Sequence, residues 1–235
     1  MNQTYLMQAD IDLVNMSRWS AAERQRDADR ALHCLVYESF GPSQTPKPFS
    51  AHVRRADGEP VGRLLAYTPL DSVELKRIAK TRQTLPQAAV LDPKTIRTTP
   101  IPNQWQEGST IGFQIRVWPC HRTRPNRDNQ PKGEHDVYLR ANGNQTREEA
   151  YCQWLTGLIQ RQGGAEALPE TLRMTKFALR RVQRQTSQKW IIGPDVTIEG
   201  ACVITDAQKW QEAVTKGIGR HKAFGYGMLL LKPVA

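Results

Sequence analysis

The sequence predicts an α+β protein made of two tandem ferredoxin-like (RRM-like) βαββαβ domains, residues 1–106 and 107–235. Three observations predict it. Apolar residues recur with helical spacing in some stretches and alternate in others, helix-starting motifs separate those stretches, and both halves give the same element order. No repeat is visible in the residues themselves, so the duplication rests on element order alone.

In the first half, β-rich stretches run near Tyr5 to Val14, Phe49 to Arg55 and Val61 to Tyr67. Ser20 with Glu23 forms a capping-box pattern, in which a hydroxyl and a carboxylate three residues on satisfy each other's free amides. It marks the start of a helix reaching Phe40. Ala28, Ala31, Leu32, Leu35 and Val36 fall at i, i+3, i+4, i+7 and i+8 and form its core stripe. A second helix follows Asp71 through Val73, Leu75 and Ile78, and the closing strand is expected within Ala88 to Thr98. Pro100 and Pro102 signal turns, which puts the domain boundary near Gln104 to Gly108.

In the second half, Ile111, Phe113, Ile115 and Val117 alternate with Gly112, Gln114, Arg116 and Trp118, as a strand with one buried face does. Thr146 with Glu149 opens a helix over 147–161, and Thr205 with Gln208 opens another over 206–216. Strands are expected over Leu172 to Arg184, Val196 to Ile204 and Met228 to Lys232. Pro119 to Gln145 reads as one long irregular stretch carrying Arg122, Arg124, Arg127, Lys132 and Arg140. Such a loop is functional or a solvated insertion.

Lys plus Arg number 33 against 23 Asp plus Glu, a formal charge of +10 over 235 residues, which favours a polyanionic partner. A membrane is the competing attractor. The chain has no apolar run of spanning length, and Asp10 and Asp12 stand where a signal peptide needs apolar residues, so no membrane association and a cytoplasmic location are expected. Cys34, Cys120, Cys152 and Cys202 form no Cys-x-x-Cys pair and are expected to be reduced and mostly buried. Cys120, His121, His135 and Asp136 match no familiar metal-site spacing, and no metal or other cofactor is expected.

Three stretches carry candidate chemistry. At about 100° per residue, Arg26, Arg30, His33 and Tyr37 cluster opposite the core stripe of the first helix. That face offers two fixed cations, an imidazole that titrates near neutral pH and a phenol, a set suited to metal-free RNA cleavage. A wet helix face with one histidine is the alternative. Near the end, Gly217-Ile218-Gly219-Arg220-His221-Lys222-Ala223-Phe224-Gly225-Tyr226-Gly227 lies between an amphipathic helix and an apolar strand. Its glycines let backbone amides approach phosphate oxygens or serve backbone geometry only. Between them, Lys176, Arg180 and Arg184 share one face of a strand that also carries Arg173, Arg181 and Phe177. This suits a phosphate track or a charge-protected edge.

The residues resemble the CRISPR repeat-processing endoribonucleases of the RAMP superfamily, in particular the subtype serving type I-E effector complexes and related type IV systems. The most specific match is Gly217-Ile218-Gly219-x-x-Lys222-x-x-Gly225-x-Gly227 followed by an apolar strand and a proline. Leu32-His33 followed by Phe40 and the strand Phe49-Ser50-Ala51-His52-Val53 is similar too, as are Gln153-Trp154-Leu155 and Glu199-Gly200-Ala201-Cys202-Val203-Ile204. The resemblance implies metal-independent cleavage at the base of a CRISPR repeat hairpin, a 2′,3′-cyclic phosphate product, and retention on the guide RNA beside other effector-complex subunits. A non-catalytic guide-RNA hairpin-binding subunit is the alternative. His33 falls on the family's catalytic histidine, with Arg30 and Arg26 beside it. Lys222 falls on the lysine of the glycine-rich loop. Gly217, Gly219, Arg220, Lys222, Gly225, Gly227, Lys176, Arg180, Arg181 and Arg184 are expected to hold RNA. Arg30 departs from relatives that place a tyrosine three residues before the histidine, exchanging a hydroxyl for a permanent cation.

Overall fold

A computed structural model of the chain describes residues 3–25, 27–56, 59–123, 133–140, 145–183 and 190–233. Packing divides it into two compact units. One comprises Met1–Gln104 with Val214–Gly217 and His221–Met228, and the other Trp105–Ala213 with Ile218–Arg220 and Leu229–Ala235. The glycine-rich run is therefore shared between them.

The first unit runs β1 (Tyr5–Ile11), α1 (Leu13–Ala22), α2 (Ala28–Phe40), β2 (Phe49–Ala56), β3 (Glu59–Thr68), α3 (Ser72–Arg82), α4 (Leu85–Val90) and β4 (Arg97–Pro100). Its antiparallel sheet has the order β2-β3-β1-β4, the ferredoxin-like arrangement. Met7, Ala9 and Ile11 bury one face of β1, as a period of two requires. Against them lie Ala31, Leu32, Leu35, Val36 and Phe40 of α2, with Leu75, Ile78 and Ala79 of α3 in the same core.

Three expectations change here. The first strand does not reach Val14, because the Asp12 carboxylate accepts from the Asn15 amide at 2.8 Å and starts α1. Ser20 caps nothing. Its hydroxyl donates to the Ser17 carbonyl at 3.0 Å inside α1, and Glu23 ends that helix. The N-cap of α2 is Asp27, whose carboxylate accepts from the Asp29 amide at 3.0 Å, and Ala28 in the first turn is exposed while the rest of the stripe is buried. Of the region expected to hold the closing strand, Ala88 to Val90 lie in α4, entered through Thr84 and Gln87, and the strand itself is β4, Arg97–Pro100.

The second unit contains β5 (Thr110–Val117), β6 (Cys120–Thr123), β7 (Gly133–Asp136), α5 (Val137–Arg140), α6 (Arg147–Gln162), β8 (Ala165–Ala167), β9 (Arg173–Gln183), β10 (Trp190–Ile204), most of α7 (Ala207–Lys216) and β11 (Leu229–Lys232). The strands order as β11-β5-β10, with β8 and β9 both pairing along β10. Phe113, Ile115 and Val117 are buried as their alternation requires. Thr146 and Glu149 form the expected capping box, whereas Thr205 does not cap α7. Asp206 does, accepting from the Lys209 amide at 2.9 Å. Pro119 to Gln145 is not wholly irregular: β6 and β7 pair antiparallel with His121 opposite His135. The four cysteines are free, Cys120 and Cys202 buried, Cys34 and Cys152 half-buried.

The corrected start of α2 is measurable. Asp27→Ala removes a working N-cap and lowers unfolding free energy by about 1 kcal/mol. Ser20→Ala changes it by less than about 0.5 kcal/mol. Urea denaturation of both variants distinguishes this boundary from a helix that begins at Ser20.

Candidate functional site

The buried stripe of α2 fixes its rotation, leaving His33 half-buried and Tyr37 44% exposed. The imidazole centroid lies 6.1 Å from the Tyr37 ring and 6.5 Å from the Phe224 ring. Phe224 closes a single 3-10 turn, Lys222–Phe224, inside the glycine-rich run. Residues from the two ends of the sequence thus meet within the first unit, where a cavity of about 470 Å³ opens between them. His33, Tyr37, Thr45, Lys47, Thr215, Lys216 and Lys222 give its polar lining, and Pro42, Pro48, Phe49 and Ala223 its apolar part. Three lysines and a histidine line a space with no acidic residue in its wall among the described residues. The chemistry of such a space favours an anion.

Backbone geometry brings Lys222 there. Gly217, Gly225 and Gly227 have φ of 67°, 81° and 81°, the left-handed region that side chains disfavour. A Cβ on Gly217 would stand 2.8 Å from the Gly227 carbonyl oxygen and 3.1 Å from Pro48 Cβ. The turn returns the chain so that Lys222 Nζ donates to the Gly217 carbonyl at 3.2 Å. His221 is also left-handed, with φ of 58°, and its ring lies 6.2 Å from that of Phe224.

Burial pushes the His33 pKa below its ordinary 6.5, and the Arg30 guanidinium adds to the shift by opposing a second positive charge. At neutral pH the imidazole is therefore mainly the proton-accepting form. Burial raises the Cys34 thiol, as does Glu38, while Arg30 opposes them both by charge and by a hydrogen bond to Cys34. Arg30 is thus a neighbour of the site, its side chain tied to Cys34 on the same helix, and it does not line the cavity. Arg26 lies outside the described residues.

The remaining expected RNA contacts lie in the second unit. Gly219 donates its amide to Gln162 Oε1 at 2.9 Å. Arg220 pairs at 2.7 Å with the buried Glu134 carboxylate. On β9, Arg180 shares Asp195 with Arg116, at 3.1 Å and 2.8 Å, while Lys176 and Arg181 are exposed. Register places Lys176 opposite Thr197 and Ala178 opposite Asp195, so Lys176 and Arg180 do share a face. Phe177 and Arg181 take the other, with Phe177 4.4 Å from the Arg147 guanidinium. Arg184 lies outside the described residues. Among the described residues no group of three His, Cys, Asp or Glu is placed to hold a metal.

Sequence reasoning missed Thr45, Lys47, Lys216 and Phe224. Lys47 stands alone between Pro46 and Pro48, a pattern that marks a turn and gives no sign of the cavity beyond it.

The family model described as CRISPR associated protein matches residues 4–233. A search of curated proteins returns no match. Among solved structures, a CRISPR endoribonuclease Cse3 bound to a 19-nucleotide RNA is similar over 98% of this chain and 100% of its own, with a TM-score of 0.68 at 15% identity. The CRISPR-associated protein Cas6e of Escherichia coli K-12 matches over 98% and 100%, with a TM-score of 0.54 at 22% identity. A chain of a CRISPR RNA-guided surveillance complex covers 98% and 100%, with a TM-score of 0.56 at 17% identity. At such identities the likeness establishes the fold. No helix of the described residues is long and apolar enough to cross a membrane.

The depressed His33 value has a direct readout. Followed by proton NMR, His33 titrates below 6.5, and Arg30→Gln moves its midpoint upward, though not fully to 6.5 because burial is the larger cause. The folded chain resists protonating this group, so its contribution to stability is complete above about pH 6.5 and is lost as pH falls through the folded value.

Proposed function

Since the chain belongs to the CRISPR associated protein family, we propose that it is an endoribonuclease that cuts CRISPR precursor RNA within the repeat, at the base of the hairpin. The observation that carries this reading is the convergence of His33 and Lys222 on one cavity without an acidic wall among the described residues. A histidine held mainly neutral takes the proton of the 2′-hydroxyl as its oxygen attacks the adjacent phosphorus. The bond from phosphorus to the 2′-oxygen forms and that to the 5′-oxygen breaks, the leaving oxygen taking a proton from solvent. The products are a 2′,3′-cyclic phosphate and a 5′-hydroxyl. Lys222, with Lys47 and Lys216 in the same wall, opposes the charge that builds on the phosphate oxygens. Arg30 acts on His33 through its charge, and Arg26 is proposed as a further cation opposing the phosphate charge.

We propose that the transfer is metal-independent, with His33 moving the proton and the cavity lysines opposing the phosphate charge. The exposed Lys176 and Arg181, together with Arg180 and Arg184, are assigned to the backbone of the hairpin. Gly217, Gly219, Gly225 and Gly227 give the loop its shape, and Arg220 stands in it beside its partner Glu134. We assign cleavage to the 1–106 region together with Lys216 and Lys222, and the holding of RNA to the rest of the 107–235 region, in a cytoplasmic type I-E or type IV effector complex whose guide RNA the chain retains. Arg30, at the position where the resemblance leads one to expect a tyrosine, exchanges a hydroxyl for a permanent cation; the alternative reading is a non-catalytic subunit that holds the guide-RNA hairpin.

With cognate repeat RNA in EDTA, the unmodified protein cuts once per repeat. His33→Ala lowers the single-turnover rate by about 10²- to 10⁴-fold, and Lys222→Ala by about 10². Intact RNA after incubation with the unmodified protein contradicts the nuclease reading. Full cleavage by His33→Ala contradicts the role given to that residue.

A further inference from the structure

The second unit holds another cationic cavity that the cleavage reading does not use. About 350 Å³ in volume, it lies between β6, the end of α5 and one face of α6. His121, Arg140 and Arg161 supply its charge, Trp154 one apolar wall, and Gln145 and Gln153 amide groups at its rim. Four arginines of this unit are neutralised: Arg116 and Arg180 by Asp195, Arg147 by Asp136, Arg220 by Glu134. Among the described residues Arg140 and Arg161 have no carboxylate partner and no acid lines the cavity. Both guanidinium groups act on His121, whose pKa is depressed first by burial and then by each of them.

Gly157 supplies an independent observation. A glycine inside a sixteen-residue helix is unfavourable unless space requires it. Here a Cβ would stand 2.9 Å from Arg161 Nη1, so the missing side chain is what lets that guanidinium fold back along α6 toward the cavity. Trp154, three residues earlier on the same helix, lines the same space.

We propose that this cavity binds one nucleotide of a single-stranded RNA segment, its phosphate held by Arg140 and Arg161 and its base set against Trp154. Two cations without acid select a phosphate, and an aromatic wall beside them selects a base over a bare anion. The Gln145 and Gln153 amides, hydrogen-bonded to each other at 3.0 Å, offer polar groups at the cavity rim. The site differs from the His33 cavity in residues and in unit, and it is tested without cleavage, so its fate is separate from that of the nuclease reading.

The test is photo-crosslinking of the full chain to a five-nucleotide single-stranded RNA carrying 5-iodouridine, with adducts mapped by mass spectrometry. The expected adduct is on Trp154. Arg140→Ala with Arg161→Ala lowers its yield at least tenfold, and excess unlabelled pentamer removes it. Gly157→Ala is the sharper variant: it raises the melting temperature, because alanine favours helix, while weakening the adduct about fivefold by displacing Arg161. Competition by uridine monophosphate equal to that by the pentamer overturns assignment to an RNA chain in favour of a free nucleotide. Equal competition by poly-glutamate overturns base recognition in favour of an acidic protein segment. Adducts confined to other aromatic residues overturn the site itself.

Discussion

The cavity around His33 depends on one backbone constraint, the left-handed path of the glycine-rich segment. With Gly217, Gly225 and Gly227 all at positive φ, the chain leaves α7, turns on itself and sets Lys222–Phe224 beside the exposed side of α2. A side chain at Gly217 would collide with the Gly227 carbonyl and crowd Pro48, which itself lines the cavity. The motif that looks like a phosphate cradle therefore acts first as a hinge of fixed shape. The position of Lys222 follows from that shape.

Charge is distributed less evenly than the net +10 implies. Asp10 neutralises Arg54 at 3.1 Å, Asp195 holds Arg116 and Arg180, and Glu134 holds Arg220. Where carboxylates are absent from a cavity wall, as around His33 and around His121, a positive field remains to attract phosphate, and beside each imidazole burial and an arginine charge lower its basicity. Around His33 the field and burial act in the same direction, which keeps the ring available as a proton acceptor at neutral pH.

Much of the fold was legible because its signals are local. The alternation of Phe113, Ile115 and Val117 and the spacing of Leu32, Leu35 and Val36 each report a single element, and the order of elements predicts the two larger sheets, though not the β6-β7 pair. Misreadings arose where two local signals compete. Ser20 and Glu23 satisfy the capping-box pattern yet sit at the end of α1, because Asp12 had already begun that helix, and Asp206 displaced Thr205 by the same competition for amides. The site was legible in its parts and not in its assembly. His33 and Lys222 each stood out, but that they share a cavity depends on folding contacts between distant segments. Lys47, Thr45 and Lys216 join through those contacts alone, and the charge of Arg220 gave no sign that Glu134 holds it.

The central claim is that a phosphodiester is broken in the cavity shared by His33 and Lys222. A structure of the chain with repeat RNA carrying a 2′-deoxy nucleotide at the cut position tests it most directly, because substitution of the attacking hydroxyl preserves the uncut complex. The account predicts the scissile phosphate inside that cavity, with the position of the missing 2′-oxygen within about 3.2 Å of a His33 ring nitrogen and a phosphate oxygen near Lys222 Nζ. A scissile phosphate seated elsewhere, with the His33 cavity free of RNA, would contradict it.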